Sequence, residues 1–361
     1  MVEWKKLGEV CKTITPPIKL QKADYYHQGR YPIIDQGQVE VVGFTDNSEA
    51  LVPDAEYVLF GDHTRYVKYH RGSFAQGADG LKILLPRQEI NARYFFFVFQ
   101  NTEIPSRGYS RHWSIAKEII IPIPSLSEQN RIVGILDTFT ASIDNLKEQI
   151  AQRRKQYEFY RDQLLDLEGK EGVEIAPLRR IVKSYCTGAT PNKGHLEYYE
   201  SGTIPWLRTQ DVKFNEIYEI DSFVTEEAVA KTGVKWIPAN CVIVAISGAT
   251  AGRCAINKIP TTTNQHCLNL EINPKKALYK YVYYCVYNAY SDMISKKQGA
   301  RGDLNSSIIL GITIPVPSLS EQQRIVSILD TFEASIQNLE AQLSQREKQY
   351  EYYRNKLLTF E

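Results

Sequence analysis

The stretch Ile121–Phe139 reads IPIPSLSEQNRIVGILDTF, and a nearly identical stretch, Ile314–Phe332, reads IPVPSLSEQQRIVSILDTF. The likeness extends beyond these stretches, because residues 121–168 align without a gap with residues 314–361 and 33 of the 48 positions are identical. Repetition at a fixed offset, here 193 residues, indicates that the chain is built from two related units.

Each copy carries the hydrophobic pattern of a long helix that pairs with another helix. Apolar residues alternate at intervals of three and four, which is the heptad pattern of a coiled-coil seam. We predict the seam at Leu136, Phe139, Ile143, Leu146, Ile150, Leu329, Phe332, Ile336, Leu339 and Leu343. The pattern predicts two helices of about 40 residues, each about 60 Å long. Since both copies lie in one chain, we expect them to pair with each other in antiparallel orientation. Two amphipathic helices that pack separately on their own domains are the alternative.

The phrase PSLSEQ predicts where each helix begins. Ser125 and Glu128 have the spacing of a capping box, and Ser127 is a second candidate for the N-cap. Arg153 interrupts the apolar series in the first copy, and Arg346 interrupts it at the corresponding position of the second copy.

The regions that precede the two copies have the pattern of mixed α and β structure. Short runs such as EYVLFGD at 56–62 and CVIVAISG at 241–248 are typical of strands, and ARYFFFVFQN at 92–101 is a predicted helix, as is LYKYVYYCVYNAY at 278–290. The predicted fold class is α+β, arranged as a tandem repeat with pseudo-two-fold symmetry. The predicted segments are a first domain at 1–124, a central repeat helix at 125–168, a linker at 169–175, a second domain at 176–317 and a C-terminal repeat helix at 318–361.

The charge balance excludes a general polycation but allows a local basic face, because 43 Lys and Arg are balanced by 42 Asp and Glu in 361 residues. The apolar runs are too short to span a bilayer, and the N-terminal residues lack the apolar core of a signal peptide. We therefore expect a cytoplasmic protein with no membrane partner. The six cysteines lack metal-ligand spacing and are expected to be reduced, buried or half-buried thiols.

The repeated phrase and its flanks resemble a known family. The elements IPIPSLSEQNRI and IPVPSLSEQQRI with their heptads, and the domain openings EWKKLGEV at 3–10 and APLRRIV at 176–182, are similar to the specificity (S) subunits of type I restriction–modification systems. The resemblance covers the whole chain in order. It implies two target-recognition domains, each reading one half of a split DNA site, separated by a coiled coil that acts as a ruler between them.

The resemblance also implies the partners of the chain. They are double-stranded DNA, two modification (methyltransferase) subunits that dock on the helices, and restriction/translocase subunits. S-adenosylmethionine is expected in the partner methyltransferase subunits, so no cofactor is expected in this chain.

No catalytic residue and no metal ligand is predicted. The chain lacks the NPPY or DPPY motif of amino-methyltransferases, and GATAG at 248–252 lacks the Lys-Ser/Thr of a phosphate-binding P-loop. The spacing of the six histidines is not that of a metal site. These observations predict a recognition subunit rather than an enzyme.

The candidate DNA contacts are side chains that can read base edges or hold phosphates. Four stretches contain several such side chains: GDHTRYVKYHR at 61–71, SRGYSRHWS at 106–114, PWLRTQD at 205–211 and KKQGARGDLN at 296–305. The predicted DNA-binding residues are His63, Thr64, Arg65, Lys68, Arg107, Tyr109, Ser110, Arg111 and His112 in the first domain, and Arg208, Thr209, Gln210, Lys296, Lys297, Gln298, Arg301 and Asn305 in the second. Each stretch alone is also compatible with a solvated surface loop.

Two other functions compete with this interpretation. A protein-interaction adaptor that uses the coiled coil as a spacer, with no role in DNA binding, would share the seam but should lack the basic loops. A stand-alone nuclease or methyltransferase is disfavoured by the missing motifs.

Overall fold

The computed structural model describes residues 2–77, 80–106, 108, 110–296 and 303–360. The chain forms two compact units, the first comprising Met1–Glu148 with Glu340–Glu361 and the second comprising Gln149–Leu339. Each unit therefore contains one globular region and about half of each repeat helix. The predicted segment boundaries, which divide the chain at the ends of the repeat, remain a prediction.

The globular region of the first unit is built on mostly antiparallel strands, with one long helix packed against them. Its elements are β1 (Glu3–Lys6), β2 (Cys11–Ile14), β3 (Tyr31–Ile34), β4 (Gly43–Thr45), β5 (Glu56–Gly61), β6 (Val67–Arg71), β7 (Ala75–Gln76), β8 (Leu81–Pro86), α1 (Ala92–Asn101), α2 (Trp113–Ala116) and β9 (Ile120–Ile123). Strands β2, β8, β5 and β6 form one sheet in that order, β4, β3 and β7 form another, and β1 pairs with β9. Buried aromatic side chains of α1, among them Phe95 and Phe99, share a core with Val58 and Phe60 of β5. The first repeat helix, α3 (Leu126–Leu165), follows β9.

The globular region of the second unit follows the same plan with longer insertions. Its elements are β10 (Glu174–Pro177), β11 (Val182–Thr187), β12 (Ile204–Leu207), β13 (Asn215–Ile217), β14 (Phe223–Val224), α4 (Glu226–Lys231), β15 (Trp236–Ile237), β16 (Val242–Ala245), β17 (Cys254–Asn257), β18 (Thr261–Thr263), β19 (Cys267–Ile272), α5 (Tyr279–Asn288), α6 (Tyr290–Ser295), α7 (Ser306–Leu310) and β20 (Thr313–Val316). One sheet has the order β11-β19-β16-β17-β13, a second has the order β14-β12-β18-β15, and β10 pairs with β20. The second repeat helix, α8 (Leu319–Leu358), follows β20. The mixed α and β class predicted for both regions is confirmed.

Both repeat helices contain 40 residues, as the heptad pattern predicted. The Ser125 hydroxyl accepts a hydrogen bond from the Glu128 backbone N–H at 3.3 Å, and the Ser125 carbonyl accepts one from the Gln129 N–H at 2.9 Å. Ser125 is therefore the N-cap, and the rival Ser127 lies inside the first turn. The Glu128 carboxylate pairs with the guanidinium of Arg131 at 2.6 Å, so only half of the predicted capping box forms.

Within the first unit, the two helices run antiparallel. Phe139 of α3 stacks on Tyr353 of α8 with ring centroids 5.4 Å apart. Two turns further along α3, Lys147 lies 3.5 Å from the Glu347 carboxylate, which precedes Tyr353 in α8. Because the partner number falls as the α3 number rises, the predicted antiparallel pairing is confirmed here.

The contacts of the second unit repeat those of the first at the 193-residue offset. Phe332 stacks on Tyr160 with centroids 5.4 Å apart, which reproduces the contact of Phe139 with Tyr353. The ten predicted seam positions are all buried or half-buried, and Leu136 and Leu329 have no exposed surface. The same positions are therefore used for helix packing in both units, in agreement with the near-identity of the two helix sequences.

A buried glutamine in each repeated phrase joins the helix to its globular region. Gln129 has no exposed surface; its Oε1 accepts from the Asn91 backbone N–H at 2.8 Å, and its Nε2 donates to the carbonyls of Pro124 and Glu89 at 3.0 and 3.2 Å. A buried amide is tolerated because all of these bonds are made. The phrase SEQ is therefore an attachment as well as a helix start.

Gln322 makes the corresponding attachment in the second unit. It accepts from the Leu278 N–H at 2.9 Å and donates to the carbonyls of Pro317 and Lys276 at 2.9 and 3.3 Å. A buried tyrosine supports each junction, since Tyr281 donates to the Pro315 carbonyl at 2.9 Å as its counterpart Tyr94 does to the Pro122 carbonyl.

Membrane-spanning helices and cysteines were the subject of two further predictions. Among the described residues, no helix is both long enough and apolar enough to cross a membrane. Five of the six cysteines are buried and Cys186 is half-buried, as the sequence predicted. Burial raises the pKa of Cys11 and of Cys241 to about 12 because the thiolate is poorly solvated there.

Candidate nucleic-acid interface

In each globular region two parallel strands end side by side and bring distant loops together. In the first unit β3 runs parallel to β7, and the Gly77 N–H donates to the Ile34 carbonyl at 2.9 Å where both strands end. In the second unit β12 runs parallel to β18, and the Asn264 N–H donates to the Leu207 carbonyl at 3.0 Å. Residues that follow these strands therefore share one edge of the sheet.

The turn after β5 lies at the edge where β3 and β7 end. The Asp62 N–H donates to the Gly80 carbonyl at 2.6 Å, and the His112 N–H donates to the Asp62 carbonyl at 2.9 Å. The structure thus brings the two stretches predicted from the first domain into one place. We call residues 35–37, 62–65, 77 and 110–112 the first loop cluster.

Several predicted residues of the first loop cluster build the loop as well as facing solvent. Thr64 and Arg65 are exposed, while the Thr64 hydroxyl donates to the Gln36 carbonyl and the Arg65 guanidinium donates to the Ile104 carbonyl at 3.0 Å. The His63 N–H donates to the Gln36 side-chain oxygen at 3.2 Å. Gln36, which the sequence analysis missed, is therefore the residue that holds the turn.

Lys68, predicted as a DNA contact, is directed into its own domain. Its ammonium donates to the carbonyls of Asp35 and Val39 at 3.0 and 2.6 Å, and its partial burial lowers its pKa. His112 has no exposed surface and its Nδ1 lies 2.9 Å from the Asp62 carbonyl, so it supports the cluster from beneath.

The remaining predictions of the first domain divide into described and undescribed residues. Arg111 is exposed, and Ser110 is half-buried with a hydroxyl oxygen that has no hydrogen-bond partner among the described residues. Arg107 and Tyr109 lie outside the described residues.

The second unit has an equivalent cluster. The Ile246 N–H donates to the His266 carbonyl at 2.9 Å, and the Leu304 N–H donates to the Ile246 carbonyl at 2.7 Å. These bonds correspond to those of Asp62 in the first cluster. We call residues 188–190, 208–211, 246–250, 264–266 and 303–305 the second loop cluster.

The stretch Arg208–Gln210 lies in this cluster, directly after β12. Arg208 caps a short 3₁₀ turn with its backbone N–H, which donates to the Asp211 carboxylate at 2.8 Å. The Arg208 side chain is half-buried, and its Nε has no hydrogen-bond partner among the described residues. Thr209 is half-buried and Gln210 is exposed, so both are accessible to a ligand.

The stretch predicted at 296–305 is only partly described. Lys296 is exposed and pairs with the Asp292 carboxylate at 2.6 Å. Asn305 caps α7 by accepting from the Ile308 N–H at 2.9 Å, which is a structural role. Lys297, Gln298 and Arg301 lie outside the described residues.

Three further polar residues of the second cluster were not predicted: Thr190, Gln265 and His266. They lie together because Gln265 and His266 follow β18 while Thr190 follows β11. The signal that could have found them is the parallel pairing of β12 with β18, and this pairing is not visible in the local sequence pattern.

A cleft lies beside the helix pair in each unit. In the second unit it measures about 680 Å³ and is lined by residues that include Lys280, Asp330 and Glu333. Burial raises the pKa of Glu333, whose carboxylate accepts from the Tyr157 hydroxyl at 3.0 Å. In the first unit the cleft is smaller, about 480 Å³, and Thr140 stands where the second unit has Glu333.

Exposed aromatic pairs lie at equivalent positions of the two helices. Phe159 and Tyr160 are 63% and 42% exposed, and Tyr352 and Tyr353 are 60% and 42% exposed. Large exposed apolar groups that recur at the repeat offset are candidates for protein contacts. Within the described residues, no group of His, Cys, Asp or Glu has the geometry to hold a metal ion.

Comparisons with known proteins connect this arrangement to a family. A family model described as the type I restriction modification DNA specificity domain matches residues 1–153 and 170–347. The chain is 33% identical over 385 residues to the type I restriction enzyme EcoR124I/EcoR124II specificity subunit of Escherichia coli, covering 99% of this chain and 94% of that protein. It is 26% identical to a putative type I restriction enzyme specificity subunit of Haemophilus influenzae, covering 99% of this chain and 96% of that protein.

Solved structures share the fold at low sequence identity. The S subunit of a type I restriction–modification system from M. genitalium matches with a TM-score of 0.67 and 16% identity, covering 100% of this chain and 97% of that chain. A chain from a study of complex assembly and conformational transition of the type I R-M system matches with a TM-score of 0.62 and 13% identity, covering 99% of this chain and 98% of that chain.

Proposed function

The chain belongs to the type I restriction modification DNA specificity family, and from this premise we propose how its domains and helices divide the recognition of DNA. It is a non-catalytic specificity subunit with two target-recognition domains, and DNA and the other subunits of a type I restriction–modification complex are its partners. The adaptor without a DNA role is not favoured.

In our proposal each domain reads one half of a bipartite DNA site with its loop cluster. The observation that carries the proposal is that each cluster gathers exposed Arg, Thr or Gln side chains from loops that are far apart in sequence. Arginine and glutamine form bidentate contacts with guanine and adenine edges, respectively. Two such clusters on one chain match a site with two halves.

The described residues suggest a division between reading and support. Arg65 and Arg111 in the first cluster, and Thr209 and Gln210 in the second, are accessible and are proposed to contact DNA. Lys68, His112 and Asn305 bind the protein itself, and we propose that they shape the loops. Arg107, Tyr109, Lys297, Gln298 and Arg301 remain proposed contacts on the ground of sequence alone.

We further propose that two modification subunits dock on equivalent surfaces of the helices. The exposed pairs Phe159–Tyr160 and Tyr352–Tyr353 support this, because a repeated surface suits a partner that is present in two copies. Restriction subunits would join the same complex. S-adenosylmethionine would be held by the modification subunits, in keeping with the absence of a methyltransferase motif from this sequence.

The test is to express the chain with its cognate modification subunits in a host without other such systems and to map methylated bases across the genome. We expect one bipartite motif that disappears when this chain is left out. Binding of the purified complex to that motif, in moderate salt and with competitor DNA, should exceed binding to a scrambled sequence. Methylation that does not depend on this chain, or binding without sequence preference, would contradict the proposal.

A further inference from the structure

The second loop cluster contains a glutamine whose amide is held in place by two neighbours while its side chain remains exposed. The Gln265 Oε1 accepts a hydrogen bond from the Thr190 hydroxyl, and its Nε2 lies 3.2 Å from the Nε2 of His266. An exposed glutamine normally samples many rotamers and loses that freedom when it binds a ligand. Gln265 has already lost much of that freedom.

The backbone around Gln265 is also fixed. Asn264 is 9% exposed, and its side-chain oxygen accepts from the His266 N–H at 3.1 Å, which closes a tight turn around residue 265. The Asn264 N–H is bound to Leu207 at the end of β12, as described above. The loop that carries Gln265 is therefore anchored at the same edge as Thr209 and Gln210.

Thr190 reaches Gln265 because the chain before it passes unusually close to β18. The Ala189 N–H donates to the Thr263 carbonyl at 3.0 Å, and the Ala189 carbonyl accepts from the Trp206 indole N–H at 3.1 Å. A Cβ at Gly188 would overlap the Thr263 carbonyl, so only glycine allows this approach. The position of Thr190 is thus fixed by the packing of the two residues that precede it.

The amide retains the groups needed to read a base. A glutamine amide has two N–H donors and two acceptor lone pairs. Thr190 occupies one lone pair and His266 takes one donor, so one donor and one acceptor remain. A bidentate contact with the N6 and N7 atoms of adenine uses one acceptor and one donor.

From these observations we propose that Gln265 reads an adenine in the half-site recognised by the second domain, with Thr190 and His266 as positioning residues. This inference rests on the proposed function and names one base contact within it. Gln265 would act in the same cluster as Gln210, and Arg208 of that cluster would add positive charge near the phosphates.

The experiment uses the complex of the chain with its cognate modification subunits and compares genome-wide methylation by wild type, Gln265→Ala and Gln265→Glu. For Gln265→Ala we expect discrimination at one A·T pair of one half-site to fall by about 5- to 150-fold, with the other half-site unchanged. For Gln265→Glu we expect the preference at that pair to move toward cytosine, because a carboxylate accepts from the cytosine N4 amine.

Positioning variants and a control complete the test. Thr190→Val and His266→Phe should reduce discrimination at the same base pair, by less than Gln265→Ala does. Gln88→Ala removes another exposed glutamine, located before α1 in the first domain, and should change nothing.

The inference is overturned if both Gln265 variants methylate the wild-type motif at the wild-type rate. It is also overturned if the relaxation spreads over several positions or affects the other half-site. If the wild-type complex itself methylates no bipartite motif, the proposed function fails, and this outcome is distinguishable because it needs no variant.

Discussion

The guanidinium carbon of Arg153 lies 5.9 Å from the ring centroid of Phe332 in the second unit. In the first unit Arg346 occupies the equivalent position, 5.7 Å from the ring centroid of Phe139. These arginines are the two residues that interrupt the heptad pattern. At each interrupted heptad position, the arginine places its charged group over an aromatic ring of the partner helix. Such a cation–π contact suits a half-buried seam position.

The first prediction concerns this contact. Arg153→Met should lower the free energy of unfolding by about 0.5–1 kcal/mol, because the methionine loses the attraction between cation and ring. Urea unfolding followed by circular dichroism measures the change. Lys155→Met, at an exposed position of the same helix, is the matched control and should have little effect. A variant as stable as wild type would show that the contact contributes nothing.

The second prediction concerns the seam. Ile143 and Leu146 are 7% and 9% exposed, and replacing both by Asp buries two unpaired carboxylates. We expect the protein to aggregate or to lose its cooperative melting transition. Ala141→Asp places the same charge on the exposed side of α3 and should remain soluble. Wild-type melting of the double variant would argue against a buried helix pair.

The third prediction separates the two half-sites. Arg111→Ala should weaken recognition of one half-site by about 1–3 kcal/mol if its guanidinium binds a base. Gln210→Ala should act on the other half-site only. Arg301→Ala is also expected to affect that other half, although this rests on sequence alone. Methylation mapping reports recognition of both half-sites in one experiment. Variants that methylate the wild-type motif at the wild-type rate would show that these residues do not read DNA bases.

The fourth prediction uses the raised pKa of Glu333. Since the folded chain holds this proton more tightly than the unfolded chain, the contribution of Glu333 to stability falls as pH rises above its ordinary value of 4.5. Glu333→Gln removes this titration and should make the free energy of unfolding less dependent on pH above 4.5. The groups facing Glu333 include Tyr157, Tyr284, Lys280 and Asp330.

Urea unfolding at several pH values between 5 and 8 measures the difference. Glu158→Gln, an exposed residue of α3 in the same unit, serves as the control and should follow the wild-type pH profile. Identical profiles for wild type and Glu333→Gln would mean that this carboxyl does not titrate differently on folding.

The fifth prediction concerns the length of the helices. One heptad inserted after Gln149 and another after Gln342 preserves the seam, because seven residues restore the same helix face. If the helix pair sets the gap between the half-sites, both half-site sequences should stay the same. The gap should lengthen by about three base pairs, since seven residues add about 10 Å of helix. A four-residue insertion breaks the seam and should reduce activity further. If the heptad variant methylates only sites with the original gap, the helix pair does not set the distance between the half-sites.

The sequence predicted best those features that depend on local pattern. The heptads located both 40-residue helices, and the capping signal placed the first helix start within two residues, at Ser125 rather than Ser127. Runs of apolar and aromatic residues also identified the strand around Val242 and the helix that begins at Tyr279.

The parts of the site that were missed depend on pairing between distant segments. Gln265 became a candidate only because β18 lies beside β12, whose paired residues are 56 positions earlier in the chain, and no local pattern specifies which strands become parallel neighbours. Lys68 and His112 were chosen for their charge and hydrogen-bonding groups. The direction of a side chain depends on tertiary packing, which the sequence pattern around each residue does not report.

The attachment made by Gln129 and Gln322 has an evolutionary consequence. Both glutamines bind only main-chain groups of the domain they hold, at Asn91 in one case and at Leu278 in the other. Hydrogen bonds to main-chain groups do not depend on which side chains the domain carries at those positions. A domain can therefore be replaced by recombination, or can drift in sequence, without any compensating change at Gln129 or Gln322. New combinations of half-sites become accessible through a single crossover within the repeated phrase, where the two copies already supply the homologous sequence.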